Sequence, residues 1–155
     1  MPALSVFDFH CHSLFSDGAL TPNALIALAA ERGVQQLAIT DHDTTLAYSR
    51  QLADQARDAT ITLINGCELS CVWQRRGIHI VGLNMDIAHP VFVRAMVEQA
   101  KARDRRAEKI IQALQRLGFS VSQEQIQAIA GQSVVGRPHF AEHLVRTKQM
   151  PSIAA

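Results

Sequence analysis

Between Ser5 and Leu83 short apolar runs alternate with helical patterns, and each of the runs contains, or is followed within four residues by, a histidine or a carboxylate. That rhythm limits the chain to a fold of βα units with a polar site at one end of its strands. Ser5 to Phe9 reads as the first strand and Gln36 to Thr40 as the second. Thr60 to Ile64, β-branched and apolar, reads as a third that runs into Glu68, and Ile78 to Leu83 as a further one. Thr21-Pro22 gives a cap and a first-turn proline for a helix that Gly33 stops, and Thr44 or Thr45 caps another to about Arg57. Gln74-Arg75-Arg76-Gly77 is a polar turn that can join Val72-Trp73 to the last strand as a hairpin.

Beyond Leu83 the pattern turns helical. Phe92, Met96, Ala100, Ala107, Ile111 and Leu114 predict one long amphipathic helix from about Val91 to Leu117, stopped by Gly118. Ser122-Gln-Glu-Gln125 has the pattern of a capping box before a short helix ending near Gly131. Gly136-Arg-Pro-His then opens a last helix to about Lys148. At 155 residues, 48% hydrophobic, the chain is the size of one ordinary domain with material for a real core.

A net charge of +1 exerts no global pull toward nucleic acid or anionic lipid. No apolar run reaches the roughly 18 residues of a membrane span, and the first histidines fall where a signal peptide would still be running. A cytoplasmic location is expected, with neither a membrane nor a DNA duplex as partner. Cys11, Cys67 and Cys71 are odd in number and suit a reduced compartment better than a disulfide framework.

His10 and His12 stand one residue apart at the end of the first strand, so they emerge on one side about 6.6 Å apart, within reach of one metal ion. Cys11 points the other way. Asp17 in the following turn can return over the strand end as an oxygen ligand, and Gly18 removes a side chain where the loop must fold tightly. Thr40-Asp41-His42-Asp43 then sets an imidazole among carboxylates, with Asp41 placed to orient the His42 ring. A glutamate after an apolar strand is costly to bury unless paired or coordinated, which singles out Glu68. If Ile78 and Ile80 face helices, His79 between them faces the same interior as the other candidates.

This donor set mixes nitrogen and oxygen, contains no thiolate and is too large for one tetrahedral zinc. Two or more divalent ions sharing Glu68 is the economical reading, and Mn, Zn and Fe all suit the ligands. Such a cluster makes hydroxide from bound water and neutralises charge on phosphoryl oxygens, which is the chemistry of phosphoester hydrolysis.

His10-Cys-His12, Ser16-Asp17-Gly18, Thr40-Asp41-His42-Asp43, Gly66-Cys-Glu68 and His79-Ile-Val-Gly82, in this order and spacing, resemble the first motifs of the PHP (polymerase and histidinol phosphatase) family. Gly136-Arg137-Pro138-His139-Phe140 after the long helix is similar to the branch acting on nucleoside 3′,5′-bisphosphates and short RNA 5′ ends. The resemblance implies an α/β fold, a distorted (β/α)7 barrel present here as an amino-terminal partial barrel with a helical insertion. Residues 1–90 would be the barrel part, 91–148 the insertion and the start of the next segment, and 149–155 a truncated tail. It also implies two or three divalent ions (Mn, Zn or Fe) on His10, His12, Asp17, His42, Glu68 and His79. Asp17, Glu68 and Asp41 are the candidate catalytic carboxylates, and Arg137 would hold the phosphate of a nucleotide or short RNA substrate. Family members carry a further histidine and an Asp-x-His pair that nothing after His143 supplies. The chain is thus expected to be the amino-terminal half of such an enzyme, self-associating through its open flank.

Other readings compete. His139-Phe-Ala-Glu142-His143 matches the H-x-x-E-H pattern of inverted zinc proteases, against which His143 is read as a partly exposed helix residue. An amidohydrolase or deaminase also begins with His-x-His, though Asp17 and the TDHD stretch suit it poorly. Lys101, Arg103, Arg105, Arg106 and Lys109 raise a non-catalytic RNA-binding fragment, but Asp104 and Glu108 interleave as on a solvated helix face. Cys67 and Cys71, with no matching second pair, are read as small buried residues, and His89 as an exposed loop residue.

Overall fold

The computed structural model describes residues 5–152, so the end of the expected tail, 153–155, lies outside the described residues. The chain divides into two compact units, Met1–Met96 and Val97–Ala155.

In the first unit, β1 (Val6–Cys11), β2 (Val34–Ile39) and β3 (Thr62–Leu63) form a parallel sheet in the order β1-β2-β3. α1 (Pro22–Glu31) and α2 (Arg50–Asp58) make the crossovers. Thr21 caps α1 as its residue type predicts, its hydroxyl accepting from the Ala24 N–H at 3.2 Å, and Gly33 leaves the helix at φ 71°. The α2 cap is Ser49 rather than Thr44 or Thr45. The Thr44 hydroxyl accepts from the Leu46 N–H in a local turn, which delays the helix by several residues. Ile26, Ala29, Leu37, Ile39, Leu52, Ala56 and Ile61 bury together between the helices and the sheet, and Cys11 packs against them.

The third expected strand is cut short: β3 holds two residues, and Glu68 belongs to a separate strand, β4 (Gly66–Trp73). β4 pairs antiparallel with β5 (Arg76–Leu83) through the two-residue turn Gln74–Arg75, both with positive φ, the geometry whose twist matches a hairpin. His79 is therefore delivered by an antiparallel strand, which corrects the expectation of βα units alone with the polar site at one end of their strands. Ile78 and Ile80 are exposed and face no helix core.

Tyr48 secures the junction of the two sheets. Its hydroxyl accepts from the N–H groups of Ile39 (3.0 Å) and Gly66 (2.8 Å) and lies 2.6 and 2.8 Å from the Ile39 and Ile64 carbonyls. The five described strands thus form an α/β arrangement of mixed parallel and antiparallel sheets, and no closed barrel is seen among the described residues.

The long helix α3 (Pro90–Arg116) passes from the first unit into the second, and Gly118 at φ 88° ends it. His89 is an exposed loop residue as expected, and its Nδ1 accepts from the Val91 N–H at the helix start. α4 (Gln123–Ala130) begins with the expected capping box of Ser122 and Gln125, and α5 (Arg137–Arg146) follows Gly136. Ile111, Val121, Ile126 and Phe140 form the core of this unit. Lys101, Arg105, Arg106 and Lys109 are exposed on α3, with Lys101 paired to Glu98 at 2.8 Å. Among the described residues no helix is long and apolar enough to cross a membrane.

Candidate metal centre

β1 carries His10 near its end and leaves His12 at the start of the loop that leads to α1. That loop folds back on itself: the Ser16 and Gly18 N–H groups donate to the Ser13 carbonyl at 3.1 and 3.0 Å. A Cβ on Gly18 would stand 2.0 Å from the His12 carbonyl oxygen, so only glycine lets the loop close. The closure returns Asp17 to His12, with 3.3 Å between Oδ1 and Nδ1.

Beyond β2 the chain runs through Thr40 to Asp43 and pairs with β4 by an isolated parallel bridge, His42 to Glu68. The Glu68 N–H donates to the Asp41 carbonyl and the Asp43 N–H to the Glu68 carbonyl, fixing both residues in register. Asp43, buried and at φ 51°, accepts from the Ser70 N–H at 2.6 Å and ties β4 a second time. On the hairpin Ser70 pairs with His79, so His79 and Glu68 are diagonal neighbours on one face. His79 Nδ1 lies 2.8 Å from Glu68 Oε1.

Six side chains converge in this way. Glu68 Oε2 lies 2.8 Å from His10 Nε2, 3.1 Å from His12 Nε2 and 3.8 Å from His42 Nδ1. His42 Nε2 lies 3.5 Å from Asp17 Oδ2. The ring centroids of His12 and His42, and of His42 and His79, are 4.7 Å apart. The donors form three overlapping groups, His10-His12-Glu68, His12-Asp17-His42 and His42-Glu68-His79, each with its atoms within 4.8 Å of one another. Ligand bonds of about 2.0–2.2 Å to a shared ion bring donors to such separations.

The donor set fits divalent cations for a second reason: His42 Nδ1 is buried without a hydrogen-bond partner. An unpaired buried nitrogen costs about 1–3 kcal/mol, which coordination would remove. Burial drives the His42 pKa down, reinforced by His12 and His79 and opposed by Asp17 and Glu68, so its neutral ligating form is favoured. Burial of Glu68 pushes its carboxyl upward, but the hydrogen bond from His10, the charge of His42 and the hydrogen bond from His79 together lower it. Glu68 is thereby held as a carboxylate.

The remaining candidates lie elsewhere. Asp41, 1% exposed, does not touch the His42 ring as its position suggests. Its carboxylate accepts instead from the Ser13 N–H (2.7 Å), the Ser13 hydroxyl (2.6 Å) and the Ser16 hydroxyl (2.6 Å). The peptide turn sends Asp41 and His42 to different neighbours, the first to the loop and the second to the centre. Arg137 belongs to the second unit, where it opens α5 with an exposed side chain. Ser13 and Tyr48 frame the site without a sequence signal of their own, apart from Tyr48 being the chain's one tyrosine, whereas Asp43 stands in the Thr40–Asp43 motif with no role assigned to it there.

The H-x-x-E-H pair is engaged otherwise. His139 Nδ1 accepts from the Gly136 N–H at 2.9 Å, leaving Nε2 to donate to the Ser133 hydroxyl at 3.1 Å. His143 Nε2 donates to the Ser120 carbonyl at 2.9 Å, and the residue is 3% exposed. It is thus a buried, bonded side chain rather than a partly exposed one, because its ring closes α5 onto the segment after α3. Cys67 is fully buried and Cys71 half-buried, and neither joins a metal-type group among the described residues. Burial, with Asp43 and Asp41 nearby, raises the Cys67 pKa to about 11, and burial with Asp8 and Asp41 raises that of Cys11 to about 12, keeping both as thiols.

Residues 8–147 match the PHP domain family. The chain is 41% identical over 150 residues to the 5′-3′ exoribonuclease Rnm of Escherichia coli K12, covering 96% of this chain and 51% of that protein. It is 37% identical over 139 residues to the 3′,5′-nucleoside bisphosphate phosphatase of Chromobacterium violaceum, covering 89% and 48%. A solved structure of an amidohydrolase from Chromobacterium violaceum, with bound sulfate and no metal, superimposes with a TM-score of 0.83 at 34% identity, covering 97% of this chain and 53% of that one. The chain thus spans about half the length of the curated relatives it matches. With the motifs, the open α/β fold and the clustered ligands in agreement, the chain belongs to the PHP domain family of metal-dependent phosphoesterases.

Proposed function

We propose that the protein is part of a phosphoesterase that hydrolyses a phosphate ester of a nucleotide, either a 3′,5′-bisphosphate or the 5′ end of a short RNA. The observation that carries this reading is the sharing of Glu68 and His42 among three ligand groups, an arrangement for more than one divalent ion. His10, His12, Asp17, His42, Glu68 and His79 would hold two or three such ions, of Mn, Zn or Fe. When bound, they lower the pKa of water and neutralise charge building on phosphoryl oxygens. Glu68, acceptor-only as a carboxylate, bridges the groups on either side of it. Asp17 joins the loop from β1 to His42, and Arg137 binds the substrate phosphate as a planar, permanently charged fork. Residues 1–90 are assigned to the hydrolase barrel and 91–148 to a helical insertion.

The names of the relatives support a nucleotide phosphoester, and the sulfate in the Chromobacterium structure is a tetrahedral oxyanion shaped like phosphate. That structure's description as an amidohydrolase makes amide hydrolysis the alternative to test. Incubation with Mn²⁺ and adenosine 3′,5′-bisphosphate should release inorganic phosphate, while amide substrates yield no ammonia. Arg137→Ala should weaken phosphate release and leave metal content intact. Amide hydrolysis without phosphate release would contradict the assignment.

A further inference from the structure

Asp41 is a buried carboxylate beside the metal centre that belongs to none of the three ligand groups. Its partners show what it does. Oδ1 accepts from both the Ser13 N–H (2.7 Å) and the Ser16 hydroxyl (2.6 Å), and Oδ2 from the Ser13 hydroxyl (2.6 Å). Ser13 is 0% and Ser16 4% exposed, so solvent does not replace these bonds. The Ser16 oxygen also lies 3.3 Å from His12 Nδ1.

A hydroxyl has one proton to give. Ser16 gives it to Asp41 at 2.6 Å in preference to Asp17 Oδ1 at 3.4 Å, because the shorter contact is to a fully buried acceptor. What Ser16 then turns toward His12 is a lone pair, which a proton on Nδ1 satisfies. Asp17 Oδ1, 3.3 Å from the same nitrogen, is also an acceptor and demands the same tautomer. With the proton on Nδ1, the Nε2 lone pair of the neutral ring faces Glu68 Oε2 at 3.1 Å, two electron-rich atoms that a bound cation, or in its absence a second ring proton, reconciles.

We infer that Asp41 and Ser16 form a carboxylate–hydroxyl–imidazole relay that fixes the tautomer of His12, committing its Nε2 to the His10-Glu68 group. This rests on the reading of the six side chains as a metal centre. Asp41 and Ser16 are positioning residues: they touch no reacting group and act through the His12 ring. The relay would also divide the centre, because an imidazole bonded this way on Nδ1 has only Nε2 to offer to the His10-Glu68 group, and Asp17 and His42 would be the donors left on the other side. Asp41 sets both sides of that group at once, since its carbonyl accepts the Glu68 N–H while its carboxylate holds the loop of His12.

Zn²⁺ binding by the full chain, read by equilibrium dialysis and by long-range ¹H–¹⁵N correlation of the histidine rings, tests the relay. The Zn²⁺-loaded chain should show His12 as the Nδ1-H tautomer. Ser16→Ala should retain its circular dichroism and bind Zn²⁺ about 10–100-fold more weakly, and Ser16→Thr, which keeps the hydroxyl, should recover most of that loss. An Nε2-H tautomer overturns the inference, whether or not the variants fold, and so does a Ser16→Ala chain with unchanged affinity. A chain that binds no Zn²⁺ at all overturns the metal-centre reading itself and the relay with it.

Discussion

Gly18 shows how much one residue decides here. The atoms that a Cβ at this position would strike belong to the backbone of His12 and Ser13, which cannot swing aside as a side chain would. Gly18→Ala should therefore displace the loop that carries Asp17, costing on the order of 3 kcal/mol. A lowered urea midpoint together with weakened metal binding is the expected result, and a variant indistinguishable from the parent would contradict the steric account. At this scale the sequence was informative wherever the chemistry is local. His10 and His12 emerge together because strand geometry gives residues two apart the same face, and the tight turn announces its glycine. Asp41 was harder to read. Its nearest neighbour in sequence is His42, but its hydrogen bonds go to Ser13 and Ser16, more than twenty positions away, and no local pattern encodes that choice.

At the scale of elements the same division holds. Helix ends are written in short motifs, and Thr21-Pro22, Gly33, Gly118 and the Ser122–Gln125 box all act where they were read. Strand partners are set by non-local pairing, so β3 shrinks to two residues and His79 arrives on an antiparallel strand. The false start at Thr44 has a physical cause, since a threonine hydroxyl that caps a turn offers the same local signal as one that caps a helix. Tyr48 joins elements whose relation the sequence hides. Replacing it by Phe removes one hydroxyl but strands the buried N–H groups of Ile39 and Gly66. Tyr48→Phe should cost about 2–4 kcal/mol, because two donors lose their acceptor. Urea unfolding should show a lower midpoint at unchanged slope, and a midpoint within error of the parent would show that the hydroxyl is dispensable at the junction.

For the whole molecule, the described strands leave an open α/β arrangement in which the candidate ligands already converge without a closed barrel. Val72, Trp73 and Ile80 on the hairpin are exposed. Glu68 is shared by two of the three ligand groups. Elemental analysis of the chain loaded with Mn²⁺ or Zn²⁺ and then desalted is the most direct measurement, run beside Glu68→Ala. The parent should retain about two or three ions per chain, and the variant at least one fewer. Equal metal content in the two proteins would remove Glu68 as the shared ligand, and a parent that retains no metal would contradict the metal centre.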